Sequence, residues 1–434
     1  MAKRNSAFLA AWPIVHSSHS RNLGKPLQCR VISFVGNDLK ASQTRSTQNG
    51  LLLDVLRRLE QSKDRAQPSQ LRPINMDFQN RDSTTTQSFK RIKTRILIIS
   101  DTHGAYPKPE GSNDARDDEG RLYRDFYEET TGYRHPLQSA DVAVHCGDLT
   151  RLGRTKEFEA TFSMIRQLRA PLKFVIAGNH DLMLDDDYWD DDWEDIRHNR
   201  AEMRRIIKDA EADGVRYLTE GSYDFDLKNG ARLKVYASPY TPSFGDWAFQ
   251  YPEEHHFDIQ PQVDIAITHG PPKNIFDWCK DGSRAGCPYL FEALRQAKPR
   301  IHCFGHIHES WGATLAEWRE GSKSGDGSEK AIDEEASRLV FKMTDKGLWN
   351  HLEDATGARV SEEEMSELTS QRSVMVDATQ GEYELSDGQH TLFVNAAIMN
   401  WRYRPTQLPW LVDIDLPQGP ASQNETQGAG DVEL

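Results

Sequence analysis

RILIISDTHG, residues 95–104, is the stretch from which the rest of the chain can be read. Ile96 to Ile99 form an aliphatic run that suits a strand buried on both faces. Asp101 and His103 stand where that run stops. Side chains alternate with a period of two in an extended segment, so the carboxylate and the imidazole are expected on one side as the strand ends. An oxygen and a nitrogen ligand so placed suit one metal ion, provided other segments supply partners. Alone, the pair reads rather as a polar strand end.

Other segments repeat the pattern. DVAVHCGDLT (141–150) is an apolar strand ending in Gly147 and Asp148, and LKFVIAG (172–178) runs directly into Asn179, His180 and Asp181. Between them Phe158, Phe162, Ile165 and Leu168 are spaced four, three and three, which predicts a helix with one buried face. Strand, helix, strand is the parallel crossover unit. Met203, Ile206, Ile207 and Ala210 predict a second helix, ending at Gly214, and Pro288 opens a third through Leu290 and Leu294. ARLKVYASPYTP gives a strand and a Pro-punctuated loop, DIAITHGPP a strand ending at His269, and RIHCFGHIHES a strand with His306 and His308 at its exit. TLFVNAAIMN and LVDIDLP complete the set. Asp101, His103, Asp148, Asn179, His180, His269, His306 and His308 thus come from five strand exits. Open α/β sheets bind ligands at the carboxyl ends of their strands.

The chain has 434 residues, is 37% hydrophobic and has a mean hydropathy of −0.71, which predicts one sizeable core with long polar segments. Its net charge of −14 is uneven: residues 1–90 carry 14 Lys/Arg and 6 Asp/Glu, a net of +8, and the remainder is at −22. So acidic a body is a poor general binder of nucleic-acid backbones, but bound cations would still draw small phosphorylated substrates. The five cysteines form no CxxC pair, which fits a reducing compartment, and no apolar run reaches the roughly 20 residues of a membrane span. A cytoplasmic protein is expected. The first 37 residues lack acidic side chains, a composition compatible with a mitochondrial presequence or with a disordered leader. Residues 1–92 read as leader and linker, with a short amphipathic helix at 51–60, and 93–416 as the folded body. A surface loop from Ala105 to Ser139, bearing a short helix from Leu122 to Glu129, is expected, and a disordered tail at 417–434. Residues 313–388, rich in Glu, Asp, Ser and Gly, read as a flexible acidic insertion that could dock a protein partner. LDDDYWDDDWED (184–195) reads as a solvated helix start anchored by Trp189 and Trp193 rather than a metal cluster.

In their order DTH, GD, GNHD, THG and GHIH, the exits resemble the calcineurin-like metallophosphoesterase superfamily. IAGNHD, YASPYTP, THGPP and FGHIHESWG are similar to its metallophosphoesterase-domain branch of brain and fetal-brain phosphodiesterases. The resemblance covers 94–312 and 390–416 and implies a four-layer α/β/β/α sandwich. It also implies two divalent metal ions, with Mn, Fe, Zn and Ni left open. Asp101, His103 and His308 would hold one, Asn179, His269 and His306 the other, and Asp148 would bridge them. Such a pair generates a hydroxide at neutral pH and stabilises an in-line displacement. By the same resemblance His180 would protonate the leaving oxygen, with Asp181 orienting it.

The expected activity is therefore that of a phosphodiesterase acting on small phosphodiesters or cyclic nucleotides. A phosphomonoesterase and a metal-stabilised, non-catalytic interaction module are the alternatives. GDLTRLG departs from the GDxxDRG stretch of Ser/Thr protein phosphatases, and Arg151 stands where purple acid phosphatases carry Tyr, so an iron-tyrosinate centre is not expected. Intact His180 speaks against the non-catalytic module. Tyr240 and Trp247, beside Tyr236 and Phe249, either line a substrate pocket that stacks a base or pack the core. His145, His255, His256 and His302 are read as structural or surface residues.

Overall fold

Both faces of the opening strand are covered, as its unbroken aliphatic run requires: Ile96, Leu97, Ile98 and Ile99 of β1 (Arg91–Ile99) are all buried. The structure, a computed structural model, describes residues 90–107, 132–188, 194–325, 327–345 and 350–419. After β1 come β2 (Val142–His145), α1 (Thr155–Gln167), β3 (Leu172–Val175), α2 (Glu194–Ala210) and β4 (Val215–Tyr217). Next are β5 (Gly221–Asp226), β6 (Arg232–Ser238), the small pair β7 (Thr241–Pro242) and β8 (Gln250–Tyr251), β9 (Ile265–Thr268), α3 (Pro288–Ala297) and β10 (Ile301–Phe304). The chain continues through β11 (Gly312–Trp318), α4 (Ser328–Ala331), β12 (Ile332–Asp345) and β13 (Asn350–Asp354). It closes with α5 (Glu362–Gln371), β14 (Val374–Asp377), β15 (His390–Asn395) and β16 (Trp410–Pro417).

Two large sheets result, ordered β14-β16-β1-β2-β3-β4 and β13-β12-β11-β15-β10-β9-β6-β5. Strands β1 to β4 are mutually parallel, and so are β6, β9, β10 and β15, so the carboxyl ends of each group lie along one edge of its sheet. Alternation along the strands then sorts side chains into three cores. Ile96, Ile98, Val144 and Phe174 meet Val235, Ile267, Cys303 and Val394 between the sheets. Leu97, Ile99 and Val175 pack under Phe158, Phe162 and Ile165 of α1 and Met203 of α2. Tyr236, Ala266, Phe304 and Phe393 pack under Leu290, Phe291 and Leu294 of α3. Burial of each Val, Leu, Ile, Phe or Met side chain among these stabilises by about 1.5–3 kcal/mol. The fold is the four-layer α/β/β/α sandwich expected from the sequence.

The helices begin where their sequences say. In α1 the carboxylate of Glu157 accepts from the backbone N–H groups of Arg151 and Leu152, both at 2.9 Å, and so fixes the loop that follows Asp148. Pro288 fills the first turn of α3, and the Sγ of Cys287 caps it by accepting from the Leu290 N–H at 3.1 Å.

Residues 313–388 are a correction, because they contribute four strands to the sheets, β11 to β14. β11 lies between β12 and β15 and is antiparallel to both, β13 pairs with β12, and β14 is parallel to β16. The polar composition comes from the exposed positions of these strands. Glu334, Glu335 and Arg338 are exposed, whereas Ala313, Leu315, Val340 and Leu352 enter the inter-sheet core. SEEEMSE is a capped helix start: the Ser361 hydroxyl accepts from the Glu364 N–H at 3.1 Å, and three Glu in the first turn suit the positive end of the helix dipole.

The acidic segment does its work locally. Asp185 accepts from the Phe249 N–H at 2.6 Å, and Asp186 pairs with Arg200 and Arg204. The leader up to residue 89, the 122–129 helix, Trp189, Trp193 and the tail beyond Gly419 lie outside the described residues. Among the described residues no helix is long and apolar enough to cross a membrane.

Candidate active site

The exits of β1, β2, β3, β9 and β10 meet at the seam between the sheets. Asp101, His103, Asp148 and His308, all buried, bring one ligand atom each to within 4.8 Å of one another. The Nε2 of His103 lies 3.5 Å from Asp148 Oδ2 and 3.3 Å from His308 Nε2, and the latter is 3.3 Å from Asp101 Oδ1. On the other side of Asp148, His269 Nε2 is 3.3 Å from Oδ1 and 2.9 Å from Asn179 Oδ1. The His306 ring meets the His269 ring edge-on, with 5.0 Å between centroids. Asp148 therefore shows one oxygen to each of two groups of side chains.

The backbone reaches this arrangement by turning. Asp101, His103, Asp148 and His306 have φ of 52°, 46°, 53° and 68°, left-handed values that are uncommon outside glycine and cluster at functional sites. Asp101 and His103 thus converge through a tight turn, not through the strand alternation expected for them. The backbones also approach the carboxylates closely: a Cβ on Gly178 would collide with Asp148 Oδ1, and one on Gly305 with Asp101 Oδ2. The glycines of GNHD and GHIH are required for that reason.

The rings are aimed from behind. Nδ1 of His103, His269 and His308 faces the carbonyl oxygen of Thr150 (2.9 Å), Cys146 (2.9 Å) and Asn400 (3.2 Å) respectively. A carbonyl only accepts, so Nδ1 carries the proton of each neutral ring and Nε2 keeps a lone pair. Three lone pairs and two carboxylates then crowd one space, which is repulsive unless positive charge enters. The ring basicities show the same demand. Burial lowers His269, yet Asp148 overrides it and lifts the ring to about 9, while burial dominates at His103 and His306 and takes each to about 3. Hard oxygen and imidazole donors in this mixture fit a divalent cation.

His180 stands beside this cluster. Its Nδ1 donates to the Arg151 carbonyl at 2.7 Å, its backbone N–H donates to Asp148 Oδ1 at 2.9 Å, and Trp247 packs on its ring at 4.1 Å between centroids. Asp181 does not orient it, contrary to expectation. The Asp181 carboxylate accepts instead from the N–H groups of Gly178 (2.8 Å), Leu149 (3.1 Å) and Thr150 (2.8 Å) and from the Thr150 hydroxyl (2.8 Å). It clamps the loop bearing Asp148 to the loop bearing Asn179, and burial followed by the Asp148 charge lifts its carboxyl to about 7. Asp181→Ala leaves those donors unpaired, at about 1–3 kcal/mol, and is expected to lower metal affinity about 10–100-fold as outer-sphere changes do. Metal titration by calorimetry beside a thermal melt checks this; unchanged affinity would remove Asp181 from the site's support.

Of the two expected substrate contacts, Trp247 adjoins His180, whereas Tyr240 packs against Phe249 and His255 and serves the core. His145 and His302 are buried under the site and bond the hydroxyls of Thr102 (2.9 Å) and Thr268 (2.8 Å), the residues next to candidate ligands. Sequence reasoning missed Tyr403, whose ring lies 5.0 Å from those of both His103 and His308. Its signal is faint, an aromatic residue in the turn after β15.

Residues 94–310, half of the chain, match the family model described as calcineurin-like phosphoesterase. The chain is 34% identical over 229 residues to a probable rhamnogalacturonate lyase C of Emericella nidulans, covering 52% of this chain and 18% of that protein. It is 34% identical over 187 residues to metallophosphoesterase domain-containing protein 1 of Homo sapiens, covering 41% of this chain and 57% of that protein. It thus spans less than two thirds of either relative. Among solved structures it is similar to a purple acid phosphatase, PPD1 of yellow lupin, with a TM-score of 0.30 and 10% identity over 72% of this chain and 55% of that one. The matched segment contains DTH, GD, GNHD, THG and GHIH, the exits that converge here, and the chain belongs to the calcineurin-like phosphoesterase family.

Proposed function

We propose that the protein is a dinuclear metal-dependent phosphodiesterase acting on small phosphodiesters or cyclic nucleotides. Asp148 carries this reading, because its two oxygens face two separate groups of nitrogen and oxygen donors, at 3.5 Å and 3.3 Å. Asp101, His103 and His308 would hold one cation, and Asn179, His269 and His306 the other. When bound, the ions supply an activated water and charge neutralisation for phosphoryl transfer. The chain's own part is positional and protonic. Carbonyls of Thr150, Cys146 and Asn400 fix the tautomers of three rings. His180 would give a proton from Nε2 to the leaving oxygen. The Arg151 carbonyl accepts from Nδ1 whether the ring is neutral or cationic, so the proton on Nε2 can come and go without loss of orientation. The diester preference rests on the branch resemblance of THGPP and FGHIHESWG.

The test is a panel of bis(p-nitrophenyl) phosphate, p-nitrophenyl phosphate and cyclic nucleotides with protein reconstituted in Mn, Fe, Zn or Ni. Diesters are expected to exceed the monoester in kcat/KM by about tenfold or more. A monoester preference would assign a phosphomonoesterase, and no hydrolysis under any metal would overturn the catalytic reading.

A further inference from the structure

We propose that Tyr403 is a substrate-contacting residue of this centre: its hydroxyl donates to a non-bridging phosphoryl oxygen, and the Arg151 guanidinium held over its ring supplies a second donor. This rests on the phosphoesterase reading of the site. Tyr403 belongs to the turn between β15 and β16 that also holds a candidate ligand. The Asn400 carbonyl accepts from the Tyr403 N–H at 2.9 Å and from His308 Nδ1 at 3.2 Å, so one oxygen positions both residues. The Asn400 side chain braces the turn by accepting from the N–H groups of Arg402 (2.8 Å) and Arg404 (3.2 Å). Gln407 closes it from below, donating to the carbonyls of His308 (2.7 Å) and Met399 (2.9 Å). Tyr403 itself has φ of 55°, a left-handed conformation that a bulky side chain rarely adopts. Such strain persists where the surroundings over-determine it, and it concentrates at functional sites.

The braced turn delivers a phenol to the side of the ligand cluster. The Tyr403 ring sits edge-on to His103 and His308, and its hydroxyl lies 3.5 Å from His180 Nε2. That separation exceeds the roughly 2.5–3.0 Å of a good hydroxyl hydrogen bond, so His180 does not consume the donor. The carbon at the centre of the Arg151 guanidinium is 5.2 Å from the centroid of the same ring, within cation–π range. Arg151 is exposed, and no carboxylate among the described residues forms a salt bridge with it. An unspent cation beside an unspent hydroxyl, in a chain of net charge −14, is an anion-binding arrangement. A phosphoryl group facing the carboxylate cluster through its ions would present its remaining oxygens to these two donors, with its leaving oxygen toward His180.

Tyr403→Phe keeps the ring packing and removes only the donor. The full-length, metal-loaded protein is compared with Tyr403→Phe and Arg151→Gln for metal content, melting temperature, hydrolysis of bis(p-nitrophenyl) phosphate and calorimetric binding of inorganic phosphate. Tyr403→Phe is expected to lower kcat about 10–100-fold and weaken phosphate about tenfold, with metal content and melting unchanged. Arg151→Gln is expected to raise KM about tenfold with little change in kcat, since it removes binding shared by ground and transition states. Unchanged kinetics and phosphate affinity in Tyr403→Phe would overturn the contact and leave the phosphoesterase reading intact. If the parent hydrolyses no ester, that reading falls, and phosphate affinity alone decides for or against the Tyr403 contact.

Discussion

Replacing Asp148 with Asn is expected to lower kcat/KM by about 10³-fold or more, a loss of about 4 kcal/mol in transition-state stabilisation, and to empty or disorder both metal positions together. The size of the effect follows from where its two oxygens point. Oδ2 faces His103 and Oδ1 faces His269, and no other described carboxylate has both groups within such distances. Asn offers one acceptor oxygen and one NH2 group, which only donates, and carries no charge. Whichever way the amide turns, one group then meets a donor where it needs an acceptor. Asp101 meets a ligand ring only at His308, at 3.3 Å, and its contact with His306 is to the backbone N–H at 3.1 Å, so Asp101→Asn is expected to weaken the His308 position more than the other. Metal stoichiometry by mass spectrometry on the folded protein separates the two cases. Full occupancy with an unchanged rate in Asp148→Asn would end the bridging role.

The parts of this centre that were legible in the sequence share one property: a ligand residue directly follows an apolar strand. Five strands with that form, in parallel groups, must bring their exits to sheet edges, so Asp101, Asp148, Asn179, His269 and His306 could be gathered without coordinates. What could not be read depends on contacts distant in sequence or on local backbone choice. The family resemblance implied that Asp181 serves His180, but a residue after a strand can turn back on its own loop, and Asp181 does. The left-handed turn at Asp101 and His103 leaves no compositional trace, because neither residue is glycine. Residues 313–388 failed for a different reason. Antiparallel strands at the outer part of a sheet bury only part of their side chains, and the charges on β12 lowered the mean hydropathy of a segment that supplies Leu315, Val340 and Leu352 to the core. Tyr403 gives no signal by spacing, since its place is set by the Asn400 turn.

Replacing His180 with Gln is expected to cut kcat by about 10²–10⁴-fold, the range of general acid catalysis, with both metals retained. The geometry separates the ring from the ligands. Its backbone N–H, and not its ring, holds Asp148 Oδ1, so the bond at 2.9 Å survives any change of side chain. The Nδ1 proton is committed to the Arg151 carbonyl, which leaves Nε2 as the ring atom free to exchange a proton with substrate. Gln is preferred to Ala because it fills the space against Trp247, which packs 4.1 Å from the ring centroid, and so leaves the loop in place. A general acid matters most when the leaving group is poor. The loss should therefore be larger for a phenyl or ribosyl leaving group than for p-nitrophenolate, which departs well without a proton. Equal losses for both, at full metal content, would assign His180 to charge stabilisation rather than proton transfer. Metal content falling in step with kcat would make it a ligand, and the division of this pocket into metal-holding and proton-giving histidines would then have to be redrawn.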